Sequence, residues 1–323
     1  MKIGFFEIRP GEKEVLENAL QGSDLFFSEK TVTPDNLTAT DFEVISTHTA
    51  SKLDSNLFDK LPKLKLVVTR TTGFDHIDMD TAAQKNITVC NIPSYGEHTV
   101  AEFTFAILLA LSRKIPQAIK RVKEEKKFNF ENLQGFDLNE KVLGVIGTGK
   151  IGINVIKIAK GFNMKITAFD TFPNKDLAQT LDFSYLILEE LLKSADIITI
   201  HVPYLPSTHH LINSQNIKLI KKGAVLVNTS RGAIVETEAL VYALKEGIFV
   251  GAALDVLEDE KKIFKEKVGV AKLNEQLIRM KNVVITPHTA FSTKEAELRI
   301  LNTTAENIKT FLTGSPQNII KAK

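Results

Sequence analysis

Four clusters of polar residues in the second half of the chain hold the side-chain types that proton transfer and anion binding require. They are His201-Val202-Pro203, Asn228-Thr229-Ser230-Arg231-Gly232, Asp255-Val256-Leu257-Glu258-Asp259-Glu260 and Pro287-His288-Thr289-Ala290. Each follows an apolar run that reads as a strand. One polar turn is ordinary loop chemistry, but an arginine, an acid and a histidine converging on one sheet edge can act together. Arg231 can present a planar fork to a carboxylate and a neighbouring carbonyl oxygen, which the point charge of a lysine does less rigidly. His288 can donate a proton and take it back. A carboxylate beside its second ring nitrogen would orient the imidazole and favour the charged form. Spacing alone leaves both Asp255 and Glu260 open for that role. Such a set fits hydride transfer to the ketone of a 2-oxo acid, where charge grows on the oxygen and needs a cation and a proton donor.

A hydride needs a carrier, and the middle of the chain has a place for one. Gly147-Thr148-Gly149-Lys150-Ile151-Gly152 follows the apolar run 142–146 and leads into helical apolar spacing over 153–160. In a strand–turn–helix context the first glycine makes the tight turn and the second lets backbone approach a pyrophosphate. The third lets helix and strand pack closely, with the helix N-terminal N–H groups aimed at the anion. A second strand over 164–169 ends at Asp170, the offset of a carboxylate that binds an adenosine ribose. Its charge would repel a 2′-phosphate, and the nearby cation, Lys175, lies beyond Pro173. The cofactor expected is therefore NAD.

These groups must be positioned by a scaffold of alternating strands and helices, which occurs twice. Strand-like runs at 2–8, 24–27, 44–46, 64–69 and 87–89 form a first set. A second begins at Val142 and continues through 165–169, 196–201, 224–228, 250–255 and 283–286. Near-continuous apolar strands separated by helical stretches imply parallel sheets covered on both faces. The fold class expected is α/β, with two doubly wound parallel-sheet domains. A Rossmann nucleotide-binding domain over 99–290 is inserted into a flavodoxin-like substrate domain of 1–98 and 291–323. The spacing predicts a long helix over 99–115 with Thr99 as its cap, and another over 295–313 that returns to the first domain. Ligands in such sheets bind beyond the C-terminal strand ends, which puts the expected active site in the cleft between the domains.

The bulk numbers narrow the class. The chain has 323 residues, 43% hydrophobic and 25% charged, a balance that suits a globular protein with two cores. A net charge of +2 gives no reason to expect nucleic acid. The lysine-rich stretches 120–127 and 261–267 are interleaved with glutamates and read as solvated surface. Cys90 is alone, which excludes an internal disulfide or a cysteine metal cluster and fits a reducing compartment. The first residues read as a strand rather than a signal peptide, and the longest apolar run, 103–111, is too short for a bilayer. No membrane partner and a cytoplasmic location are expected.

At these residues the chain resembles the D-isomer-specific 2-hydroxyacid dehydrogenases, most closely their D-lactate dehydrogenase branch, over nearly its full length. The resemblance runs through residues 70–78, 91–102, 145–152, 201–203, 228–232, 254–260 and 287–291, in that order and spacing. It implies that Arg231 binds substrate carboxylate and carbonyl, that His288 is the acid–base, and that Glu260 rather than Asp255 is its partner. Asp255 then falls at the nicotinamide end. Further cofactor contacts map to Lys150, Ile151, Asp170, His201, Val202, Pro203, Thr208, Thr229, Ser230 and Arg231. Thr72 and Gly73 map to backbone N–H groups that hold the carboxylate, and Tyr95 and Phe291 to the substrate-side pocket. After Phe291 the chain has Ser292 where some D-lactate dehydrogenases carry a tyrosine, which leaves the preferred side chain open. The segment 261–281 is longer than in many relatives. The family's habit of dimerising through the helix near 99–115 implies a homodimer.

Pyruvate is the substrate expected, because no extra cation lines the pocket. Competing readings are a dehydrogenase for a larger 2-hydroxy acid and an NADH-sensing module of the corepressor type. The intact Arg231, Glu260 and His288 set favours an enzyme, and Glu260 disfavours a formate-type dehydrogenase, which resembles this chain but has an amide there. Among the other histidines, His201 shapes the pocket floor, His76 and His98 make loop hydrogen bonds, and His48 stands at a strand end where core and cleft are both open to it. His209 and His210 look like a metal pair, but neighbours on a regular element diverge, so no metal is expected.

Overall fold

Short runs rich in Val, Ile, Leu and Phe form two parallel sheets among residues 1–263 and 268–320, which the computed structural model describes. They belong to two units, Met1–Tyr95 with Thr293–Lys323, and Gly96–Ser292. The crossings lie a few residues from the expected 98/99 and 290/291. The reason is local: a helix beginning at Glu97 goes whole with the second unit, and Thr293 caps the helix Lys294–Leu312 by accepting from Ala296 N at 3.2 Å.

In the first unit β1 (Lys2–Phe6), β2 (Asp24–Ser28), β3 (Val44–Thr47), β4 (Leu66–Thr69) and β5 (Thr88–Cys90) pair in the order β2-β1-β3-β4-β5, all parallel. That is the flavodoxin-like order. β3 and β4 are buried along their whole length, and Phe6, Phe26 and Phe42 pack edge-on and tilted on one face. The chain returns here after the second unit. The helix Lys294–Leu312 packs against Glu12–Ala19, and the tail pairs back with β5 through Ile320 N to Val89 O at 2.8 Å. Cys90 is buried in this sheet, and burial pushes its thiol up to about 11.

In the second unit β6 (Val142–Ile146), β7 (Lys165–Phe169), β8 (Ser184–Tyr185), β9 (Ile197–Ile200), β10 (Ala224–Asn228), β11 (Phe249–Leu254) and β12 (Val283–Ile285) form a parallel sheet in the order β12-β11-β10-β9-β6-β7-β8. The chain builds outward from β6 to β8, then crosses back to β9 on the other side. The order therefore reverses beside β6, and ligands bind where that happens. Because every pairing is parallel, Gly147, Asp170, His201, Thr229, Asp255 and Thr286 all leave the sheet at its carboxyl edge.

The expected helix 99–115 is corrected at both ends. It runs Glu97–Ser112 with Gly96 at its N-cap, so Thr99 sits inside the first turn. It stops because Pro116 has no N–H for the carbonyl of Ser112. Phe136 N takes that carbonyl at 3.0 Å, Lys114 turns left-handed at φ 51°, and a second helix runs Ile115–Lys123. Residues 120–127 are mostly exposed, as expected of solvated surface. The stretch 261–267 falls largely on residues 264–267, which, with 321–323, lie outside the described residues. No helix among the described residues is long and apolar enough to cross a membrane.

Candidate active site

The phosphate turn is built by what its glycines lack. Gly147 has φ +94°, and a Cβ there would meet the His201 backbone at 2.8 Å. A Cβ on Gly152 would stand 2.0 Å from the Gly147 carbonyl oxygen, so helix Lys150–Gly161 closes tightly on β6. A Cβ on Gly149 would meet nothing within 4 Å. Gly149 is the helix N-cap and supplies no side-chain hydrogen bond, so the first-turn N–H groups carry no side-chain cap. The residues thus fit a dinucleotide pyrophosphate. An open cleft of about 500 Å³ borders this turn, lined by Glu97, His98, Thr148, Gly149, Lys150 and neighbours, with Lys150 Nζ 3.5 Å from Glu97 Oε1. His98 is exposed on that cleft.

Asp170 is held in place before any ribose arrives. Its Oδ2 accepts from Thr148 N at 2.7 Å and Thr148 Oγ1 at 2.9 Å, and its Oδ1 accepts from Phe172 N at 2.9 Å. Burial would raise the carboxyl, but these bonds outweigh it and hold Asp170 below the ordinary carboxylate value. Tyr185 OH bonds Thr148 Oγ1 at 2.8 Å and receives Asn174 N at 3.2 Å. Thr148 is read from sequence only as part of the glycine turn, and Tyr185 not at all, because β8 is only two residues long and has no periodicity to detect.

Beyond β9, burial holds the imidazole of His201 far down, at about 3, so it is neutral at working pH, with Thr199 Oγ1 2.8 Å from its Nε2. Val202 and Pro203 follow, and Thr208 ties their loop by donating to Pro203 O at 2.7 Å and accepting from Leu205 N at 2.8 Å. Beyond β10, buried Asn228 braces the turn: its Oδ1 accepts from Ser230 N and its Nδ2 donates to Arg231 O. Ser230 Oγ donates to Val202 O, joining the two loops. Thr229 Oγ1 lies 3.0 Å from Thr104 Oγ1, and Arg231 Nη1 donates to Ser230 O at 2.8 Å.

Of the two carboxylates that spacing left open, Glu260 is the one beside the imidazole. His288 Nδ1 is 2.8 Å from Glu260 Oε1, with their side chains 34% and 38% exposed. Burial pushes the Glu260 carboxyl up, but the hydrogen bond and charge of His288, Leu257 N and Arg231 together bring it below its usual value. Asp255 is 1% exposed and fully used by the loop: it accepts from Thr286 Oγ1 at 2.6 Å and from Thr289 N and Ala290 N at 2.9 Å. Burial leads and raises its carboxyl despite those bonds. His288 has φ +54°, a left-handed conformation costing a non-glycine residue about 1–3 kcal/mol. Asp255 O and Thr286 O both accept its N–H, at 2.8 and 3.0 Å, and hold it there.

Thr72, Gly73 and Tyr95 lie in the first unit, and the other candidates, Phe291 included, in the second. Thr72 Oγ1 donates to Ile92 O at 2.8 Å, Thr71 Oγ1 to Gly73 O at 2.7 Å, and Asn91 Nδ2 to Thr72 O at 2.8 Å. The loop is thus fixed by its carbonyls and hydroxyls, and the N–H groups of Thr72 and Gly73 donate to none of the described residues. Tyr95 O accepts from Arg299 Nε at 2.6 Å. His76 bonds Thr69 Oγ1 at 3.3 Å, a structural role as expected. His48 is buried with Glu12 Oε1 3.5 Å away, so it belongs to the core. His209 and His210 stack at 3.8 Å, and no metal-binding cluster occurs among the described residues.

A family profile described as the D-isomer specific 2-hydroxyacid dehydrogenase NAD binding domain matches residues 105–290. The chain is 35% identical to 2-hydroxyacid dehydrogenase homolog 1 of Schizosaccharomyces pombe, covering 99% of this chain and 100% of that protein. It is 36% identical to a glyoxylate reductase of Thermococcus litoralis, covering 86% and 83%. A crystal structure of D-lactate dehydrogenase from Aquifex aeolicus, complexed with NAD and lactic acid, has a TM-score of 0.87 at 37% identity, covering 97% of this chain and 96% of that one.

Proposed function

From its place among the D-isomer-specific 2-hydroxyacid dehydrogenases, the NAD-dependent family to which the chain belongs, we propose that this enzyme reversibly reduces a small 2-oxo acid, pyruvate foremost, to the D-2-hydroxy acid. The observation that carries the reading is the 2.8 Å contact between His288 Nδ1 and Glu260 Oε1, on the sheet edge that also bears Arg231. The dinucleotide supplies the hydride. The Gly149 turn and the first turn of its helix hold the pyrophosphate, and Asp170 takes the ribose hydroxyls.

Arg231 binds the substrate carboxylate and the carbonyl oxygen, where its fixed charge stabilises the negative charge that develops. The Thr72 and Gly73 N–H groups add to the carboxylate's hold. His288 has Nδ1 occupied by Glu260, so Nε2 delivers the proton to the oxygen in reduction and removes it in oxidation. Glu260 keeps the imidazole turned and supplies its counter-charge. Tyr95 and Phe291 are the residues we assign to the substrate's side chain, a pair that suits a small neutral group.

We also assign a homodimer in the cytoplasm. Supporting the dimer, Ile115, Ile119 and Val122 expose one apolar stripe of the helix Ile115–Lys123, and Phe128 and Phe130 beyond it are 96% and 88% exposed. A monomer mass by light scattering would contradict it. The function is tested by following NADH oxidation with pyruvate, phenylpyruvate, 2-oxoisocaproate, hydroxypyruvate and glyoxylate, then resolving the product by chiral chromatography. Highest kcat/KM with pyruvate and a D product are expected. An L product, or no turnover of any of the five, would contradict the reading.

A further inference from the structure

Glu260 begins the short helical turn Glu260–Lys262, and among the described residues its side chain has one short hydrogen bond, to His288. Its second oxygen lies 3.5 Å from Leu257 N, too long for a firm bond, and Asp259 before it is left-handed at φ 53°. Two residues earlier, the side chain of Glu258 is only 13% exposed and is gripped at both oxygens. His210 Nε2 is 2.9 Å from Oε1, and Thr237 Oγ1 donates to Oε2 at 2.7 Å. The Glu258 carbonyl accepts from Asn274 Nδ2, itself fully buried, at 2.6 Å. These partners come from three places: the loop after β9, the start of helix Thr237–Lys245, and helix Gly269–Arg279.

The same cluster touches the arginine loop. His210 N donates to Ala233 O at 2.9 Å, within the short helical turn Gly232–Ile234 that follows Arg231. Gly232 lies so close to the next loop that a Cβ there would stand 2.0 Å from the Leu257 carbonyl carbon and 2.1 Å from Glu258 N. The backbones bearing Arg231 and Glu260 are thus pressed together at Gly232 and tied behind by Glu258.

We propose that Glu258, clamped by His210 and Thr237, is a positioning residue that sets Glu260 against His288 and keeps the Arg231 loop in register with both. The proposal rests on the assignment of Glu260 and His288 as the acid–base pair. It gives the His209-His210 doublet a use other than metal binding: His210 holds the clamp, while Tyr204 OH lies 3.3 Å from His209 Nδ1.

The test is an NMR titration of the His288 imidazole in the full-length protein, its signal assigned by its loss in His288→Asn. In Glu258→Ala the midpoint falls by roughly half or more of the fall seen in Glu260→Gln, because a loosened carboxylate no longer stabilises the imidazolium. Glu258→Gln, which can still bond His210 and Thr237, returns the midpoint to near that of the parent. NADH affinity, read by fluorescence titration, stays unchanged in both. A parent-like midpoint in Glu258→Ala, with Glu260→Gln shifted, overturns the clamp and leaves the pair standing. An unshifted Glu260→Gln overturns both. Should Glu258→Ala not fold, Thr237→Val and His210→Asn each remove one grip, and parent-like midpoints in both overturn the proposal.

Discussion

At the phosphate turn the decisive contacts are made by backbone. Gly152 lies against the Gly147 carbonyl, Gly147 against the backbone of His201, and Gly149 faces open space. At the corner proposed for acid–base chemistry they are made by side chains: Asp255 bonds three groups of the loop after β12, Glu260 meets His288, and Glu258 is held by His210 and Thr237. The first arrangement has no room for a side chain at Gly147 or Gly152, and at Gly149 it leaves the empty space that a phosphate would need. The second requires particular charges and polar atoms, and its backbone is conventional apart from the left-handed His288, Asp259 and His210. One site fails by steric blockage, the other by loss of a proton or a charge.

The contrast breaks most visibly at the proton donor. His288→Ala should lower kcat/KM for 2-oxo acid reduction by roughly 10²–10⁴-fold at every pH, the usual worth of a general acid. NADH affinity, measured by fluorescence, should stay unchanged. If both fall together, the two sites are not separable. The converse experiment adds a side chain to the turn. Gly149→Val should leave the melting temperature near that of the parent and weaken NADH binding, since its Cβ enters empty space where phosphate would lie. Gly152→Ala should lose at least about 2 kcal/mol of unfolding free energy as well, because its Cβ overlaps a carbonyl. A fully stable Gly152→Ala would show that the turn can relax.

Smaller effects sharpen the picture. Arg231→Lys retains the charge and loses the fork, so kcat should fall and KM rise by about 10-fold each or less. Steady-state values like the parent's would show that another cation anchors the substrate. Smallest is Asp170→Ser, which should narrow the preference for NADH over NADPH mainly by weakening NADH. Equal use of both cofactors by the parent would refute the role of the Asp170 carboxylate.

The same contrast explains what could be read from sequence. A glycine turn between a strand and a helix is local, so Gly147 to Gly152 and Asp170 stand out within one strand–helix–strand unit. The apolar runs of both sheets are equally visible, since parallel strands buried on two faces leave few polar interruptions. The break after Ser112 has a local signal, Pro116, which apolar spacing alone runs past; what is not local is Phe136, which arrives from a distant loop to take the freed carbonyl. The choice between Asp255 and Glu260 is open on spacing because what separates them is tertiary: Asp255 is buried and bonded to Thr286, Thr289 and Ala290. The Glu258 clamp left no signal, since His210, Thr237 and Asn274 come from three elements far apart in the chain.

The dependence of kcat/KM on pH for pyruvate reduction measures the pairing of Glu260 with His288 most directly. Reduction needs a charged imidazole when hydride arrives, and an unperturbed histidine titrates near about 6.5. The Glu260 carboxyl is held below its usual value, so it is ionised throughout the range where His288 must carry its proton. Glu260→Gln keeps the shape and a hydrogen bond but removes that charge, and the imidazolium loses its counter-ion. The descending limb of the profile should therefore move to lower pH, with NADH affinity unchanged. A profile that coincides with the parent's would contradict the pairing.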